Sequence, residues 1–167
     1  VETITPNRLK VDLTLDQTPL RLSDMPAQVD LFGQWLHGAV ANQLKADAEV
    51  KLSTKVTRFD GFDQFSFDDP ARSFEGSSQK VFDGKLNAQG RAQFPLNVPV
   101  ESPPPGMLSA TFVTRVFEES GNFSTTLRRF DLLPYDNWVG VMVPKGDGYQ
   151  DAISRESDHE VTFMTLG

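Results

Sequence analysis

Apolar residues recur along this chain with a period of two. Leu9, Val11, Leu13 and Leu15 alternate with Lys10, Asp12 and Thr14. That is the pattern of a strand with one buried face. Thr18-Pro19 and Ser23-Asp24-Met25-Pro26 interrupt it. Val29, Leu31, Gly33 and Trp35 start a second alternation, and Gly38 and Asn42 mark the turn after it. Leu44, Ala46, Ala48, Val50 and Leu52 alternate with Lys45, Asp47, Glu49 and Lys51. The small alanines predict that another layer packs closely there. A helix over Asp30–Lys45 is disfavoured, because Gly33 and Gly38 are costly inside one.

The stretch Phe59–Pro70 mixes phenylalanines with carboxylates. It predicts a loop or short strand that tucks aromatic rings under the sheet, followed by a polar loop to Gln79. Val81–Leu86 leads into a turn at Asn87-Ala88-Gln89-Gly90, and Ala92, Phe94 and Leu96 form the next strand. Pro95 and Pro99 place that strand at an edge. Ser102-Pro103-Pro104-Pro105-Gly106 is a stiff extended connection. Leu108–Phe117 is apolar on both faces, which suits the centre of a sheet. Glu119-Ser120-Gly121-Asn122 is a hairpin loop, with Phe123, Thr125 and Leu127 on the returning strand. Trp138–Val143 is a short apolar strand and Lys145-Gly146-Asp147-Gly148 a tight turn. His159–Leu166 alternates again through Val161 and Phe163. Many short strands separated by turn signals predict an all-β fold, an antiparallel β-sandwich.

Composition narrows the function. The 167 residues carry a net charge of −7, so nucleic acid and anionic membrane surfaces are poor partners. There is no cysteine, which excludes a disulfide framework, Cys-ligated zinc and a thiol nucleophile. No apolar run is long enough to span a bilayer. The chain opens Val1-Glu2-Thr3 without an apolar signal segment and ends on a strand-like Phe163–Gly167. It is therefore expected to be a piece of a longer polypeptide.

Three segments then resemble one family in order and spacing. Val29–Ala41 is similar to the strand-and-glycine opening of macroglobulin-like domains. Lys85-Leu86-Asn87-Ala88-Gln89-Gly90-Arg91-Ala92 resembles their later hairpin. Ala110–Ser124, followed by Pro134-Tyr135 and Trp138-Val139-Gly140-Val141, resembles the closing strands and the link onward in bacterial alpha-2-macroglobulins. The resemblance implies a macroglobulin-like domain, of immunoglobulin/fibronectin III-like architecture, over residues 1–136 and the first strands of a following one over 137–167. It further implies a framework module of a periplasmic, broad-range protease trap, anchored to the inner membrane as a lipoprotein. The partners implied are neighbouring macroglobulin-like domains of the same chain and, through the parent protein, host or competitor proteases. No direct membrane contact by this chain is expected. The family's thioester needs a cysteine, which this sequence lacks. Trp138, Val139, Val141 and Met142 are then expected at a domain interface, as exposed apolar residues.

Other chemistry is thinly supported, and the expectation is no enzyme, no cofactor and no metal. Asp60, Asp63, Asp68 and Asp69 invite calcium, but their spacing is not that of a calcium-binding loop. Interleaved phenylalanines favour a solvated loop anchored by its rings. Asp147-Gly148 with Asp151 reads as a turn. His37 and His159 are the only histidines, and zinc needs further ligands. No Gly-x-Ser-x-Gly elbow is present. Trp35 and Trp138 could stack on sugars, the alternative being an immunoglobulin-like glycan- or protein-binding module of a cell-surface protein. A lone Trp in such a fold more often packs in a core or an interface. Pro103-Pro104-Pro105 lacks the flanking basic residues of a polyproline ligand.

Overall fold

The computed structural model describes residues 6–146, 155 and 158–167. Ten strands follow in chain order: β1 (Leu9–Leu15), β2 (Leu20–Arg21), β3 (Ala27–Trp35), β4 (Lys45–Thr54), β5 (Ser77–Lys85), β6 (Arg91–Leu96), β7 (Leu108–Phe117), β8 (Phe123–Leu133), β9 (Trp138–Met142) and β10 (Thr162–Leu166). No α-helix occurs among the described residues. A three-stranded sheet, β1-β3-β6, faces a five-stranded sheet, β2-β8-β7-β4-β5. All pairings are antiparallel except the two-residue contact of β2 with β8. Strands β9 and β10 pair as a separate hairpin sheet.

Period two explains the sandwich. Leu13, Val29, Leu31 and Leu96 point inward from one sheet and are fully buried. Ala46, Ala48, Val50, Leu52, Leu108, Ala110, Phe112, Val116 and Leu132 point inward from the other. The two inner faces interdigitate into one core, as packed sheets require. Phe112 is fully buried and meets Phe130 edge to face at 5.7 Å between centroids. Strand β6 lies at the edge of its sheet, as Pro95 demands, and β7 lies centrally between β4 and β8.

Several expectations are corrected. Strand β5 starts at Ser77, inside the predicted polar loop, because it continues pairing with β4 as far as Leu52. On β8 the inward residues are Ser124, Phe130 and Leu132, while Phe123 and Leu127 face outward. Register fixes this: Phe123 lies opposite Phe117 and Leu127 opposite Val113, both on the outer face of β7. Asp47, expected on a solvated face, is only 5% exposed, because Arg115 covers it with two hydrogen bonds of 2.9 and 2.6 Å. That hydrogen bond, opposed by desolvation, raises the Arg115 pKa above its ordinary value. The phenylalanines of Phe59–Pro70 do not tuck under the main sheet. They gather at one end of the sandwich, against the β9–β10 hairpin. The first five residues, the second half of the predicted turn at Lys145–Gly148 and the Asp147/Asp151 pair lie outside the described residues.

Candidate functional site

The most organised region outside the main core is the junction of the sandwich and the β9–β10 hairpin. Phe67, Met107, Leu133 and Trp138 are buried there, with Phe59, Phe62, Phe65, Tyr135, Met164 and Leu166 packed around them. Rings meet largely edge to face. Phe59 lies 4.9 Å from Phe67 and 5.4 Å from Trp138, and Tyr135 lies 5.5 Å from Trp138. Such pairs add about 0.5–1.5 kcal/mol each beyond the area they bury. Backbone pairing adds a second tie. Ser66 N–H donates to Val141 O at 2.8 Å, and Val141 N–H donates back to Ser66 O at 2.9 Å.

A polar clasp holds the loop that supplies the phenylalanines. The Thr57 hydroxyl donates to the Asp68 carboxylate and accepts the Met107 N–H at 2.7 Å. Thr57 N–H also donates to Asp68, at 3.1 Å. Asp69 N–H donates to Pro105 O at 2.8 Å, and the Tyr135 hydroxyl donates to Pro104 O at 2.6 Å. Arg72 completes the net with a 2.9 Å hydrogen bond to the Tyr135 oxygen and a 3.1 Å ion pair with Asp69. The stiff Pro103-Pro104-Pro105-Gly106 run is therefore a rail on which the loop is fastened. Glycine is required at two contact points. A Cβ on Gly106 would overlap the Thr57 hydroxyl and the Asp68 carboxylate, and one on Gly140 would sit 2.6 Å from Phe67.

The hairpin has two unlike faces. Register places Trp138, Gly140 and Met142 on one side with Leu166, Met164 and Thr162. That side packs on the phenylalanines. The other side carries Val139 and Val141 with Thr165 and Phe163. Val139 is 58% exposed and Phe163 68%. Val143 and Val161 next to them are exposed too. An apolar sheet face open to water is uncommon in a finished domain.

The predicted residues separate accordingly. Val139 and Val141 lie on the open face, Val141 partly covered where it lines a cleft with Val56, Phe65 and Val143. Met142 is half-buried on the inner side. Trp138, expected to be exposed, is 6% exposed, because Phe59 and Tyr135 close over it. It offers no platform to a sugar. Trp35 is half-buried and stacks on His37 at 6.2 Å, with Arg8 over its ring. Asp68 and Asp69 are committed to the clasp, and among the described residues no group of three His, Asp or Glu side chains is placed to hold a metal. Sequence reasoning missed Thr57, Gly106, Tyr135 and the outward Phe163. Phe163 alternates with Val161 along its own segment, and only the register of β10 against β9 puts it on the face of Val139 and Val141.

A family model for the bacterial alpha-2-macroglobulin MG5 domain matches residues 7–128. The chain belongs to this family. The match ends inside β8, so the aromatic junction at Leu133–Trp138 and the hairpin lie beyond it. Solved structures share the fold of the MG5 chain. Salmonella alpha-2-macroglobulin reacted with methylamine is 21% identical over 87% of this chain, with a TM-score of 0.67. The native conformation of E. coli alpha-2-macroglobulin is 20% identical over 96%, also with a TM-score of 0.67. The trypsin-activated E. coli protein is 22% identical over 84%, with a TM-score of 0.66. The chain spans only 9%, 10% and 10% of those three chains, about a tenth of their length. Among curated proteins no match is found.

Proposed function

We propose that this chain is a non-catalytic framework module of an alpha-2-macroglobulin-type protease trap, working in the periplasm within a lipoprotein held at the inner membrane. The match of an MG5 family model to residues 7–128 carries the reading. Two features of the chain support it. The sequence contains no cysteine, so any Cys-derived thioester of the trap lies elsewhere in the polypeptide. The hairpin of β9 and β10 exposes Val139, Phe163 and Val161 on one face, as the first strands of a following sandwich would before its second sheet covers them. In this reading the domain boundary falls near residue 136, and the aromatic junction is the joint across it. The joint is stiff: rings, a backbone bridge and the Thr57–Asp68 clasp resist bending. A movement begun in one domain is then passed to the next rather than absorbed.

The test is inhibition of a protease such as trypsin by this chain alone and by the full-length polypeptide. The expected result is stoichiometric inhibition by the full-length protein and none by the chain. Inhibition by the chain alone overturns the framework reading. Fractionation and palmitate labelling of the full-length protein check the periplasmic lipoprotein assignment.

A further inference from the structure

The outer face of the five-stranded sheet is unlike the rest of the surface. Toward the hairpin end of β7 and β8, cross-strand register sets Phe117 beside Phe123 and Val113 beside Leu127, with Arg115 between them. Phe123 is 47% exposed, Leu127 60% and Val113 37%. The column is held in place before any partner arrives. Arg115 is pinned by its double hydrogen bond to Asp47 and lies over both rings, 5.4 Å from Phe117 and 5.6 Å from Phe123. Side chains fixed this way lose little freedom on docking.

Charge surrounds the column. Six cations (Lys45, Lys51, Lys80, Lys85, Arg115, Arg129) and four carboxylates (Asp47, Glu49, Asp83, Asp131) share the face by register. Three of those carboxylates are already in ion pairs, Asp47 with Arg115, Asp83 with Lys80 and Asp131 with Lys55. Glu49 accepts the Ser78 hydroxyl. Lys45, Lys51, Lys85 and Arg129 have no carboxylate partner within the described residues. The face is therefore positive on a chain whose net charge is −7.

We propose that this face docks a carboxylate-bearing protein surface belonging to another domain of the same polypeptide, with the Phe123–Leu127 column at the centre of the contact. An apolar centre with a charged rim is the anatomy of a protein interface. A polyanion would be met by charge without that centre. Opposite charge across the rim sets register and excludes wrong partners. The proposal rests on the reading of the chain as one domain of a longer polypeptide.

Because the sequence has no cysteine, Leu127→Cys gives the chain a single reporter on the exposed column. Its rate of reaction with a maleimide, read at position 127 by mass spectrometry of the labelled peptide, is compared in this chain and in the full-length polypeptide, with circular dichroism confirming that the variant folds. Docking that is closed nine-tenths of the time or more slows the reaction about tenfold or more in the full-length protein. The double variant Lys51→Glu/Arg129→Glu, or high salt, should restore most of the lost rate. Equal rates in the two proteins overturn the proposal and leave the framework reading, which is judged by protease inhibition, untouched. Protection insensitive to both salt and charge reversal overturns the acidic partner. Concentration-dependent protection in the chain alone points to a second copy and also overturns it. So does salt-sensitive binding of the chain to phosphatidylglycerol vesicles, which would assign the face to a lipid surface.

Discussion

The sandwich and the aromatic junction are built on different principles. The main core is mostly aliphatic, and the facing sheets leave Leu13, Leu31, Phe112 and Leu132 with no exposed surface. The junction is small, dominated by rings, and fastened by loop hydrogen bonds rather than by long ladders. It covers only one face of the β9–β10 hairpin. The sandwich thus buries the inner faces of both its sheets, while the hairpin is packed on one face. A two-stranded sheet is marginal alone and needs packing against something else to persist. Here the phenylalanine loop supplies that packing on one side, and nothing in the described chain supplies it on the other.

Breaking each region separately sharpens the contrast. Phe112→Ala should have the largest effect, about 4 kcal/mol lost from the sandwich, seen as a lower midpoint in urea with loss of β structure throughout. Trp138→Ala should cost about 3 kcal/mol, but at the junction. Heating should then show an early transition of the hairpin ahead of the sandwich. Asp68→Asn should cost about 2 kcal/mol at the same place, because the Thr57 hydroxyl and N–H lose a charged acceptor. Tyr135→Phe should cost about 1 kcal/mol by removing the hydrogen bond to Pro104 O. Val139→Thr should change stability of this chain by less than about 0.5 kcal/mol, since the side chain is mostly in water. A large loss from Val139→Thr in the chain alone would mean that its open face is covered after all.

Legibility in the sequence followed the same division. Strands of the sandwich were readable because burial on one face writes period two into β1, β3 and β4, and because Pro95 and the double-faced β7 fixed edge and centre. The phase of β8 was not readable. Phe123 and Leu127 look like core residues, and only pairing with Phe117 and Val113 shows that they face outward. The junction was harder still. Its rings come from loops without a period, and Trp138 reads as exposed until Phe59 and Tyr135 are brought onto it by contacts distant in sequence. Gly106 looks like an ordinary end to a proline run, and its tight contact with Thr57 and Asp68 exists only in three dimensions. The hairpin's open face was half visible. Val139 and Val141 were expected at an interface, and Phe163 joins them through the pairing of β9 with β10.

The central claim is that the hairpin is a separate unit held to a self-sufficient sandwich by the aromatic junction. Native-state hydrogen exchange of this chain, with and without Trp138→Ala, tests it most directly. The claim predicts that the Ser66 and Val141 amides, which bridge the two parts, exchange about a hundredfold faster in the variant, matching a local loss of about 3 kcal/mol, while the Phe112 amide in β7 keeps its protection. Equal acceleration at Val141 and Phe112 would show one cooperative unit and contradict it.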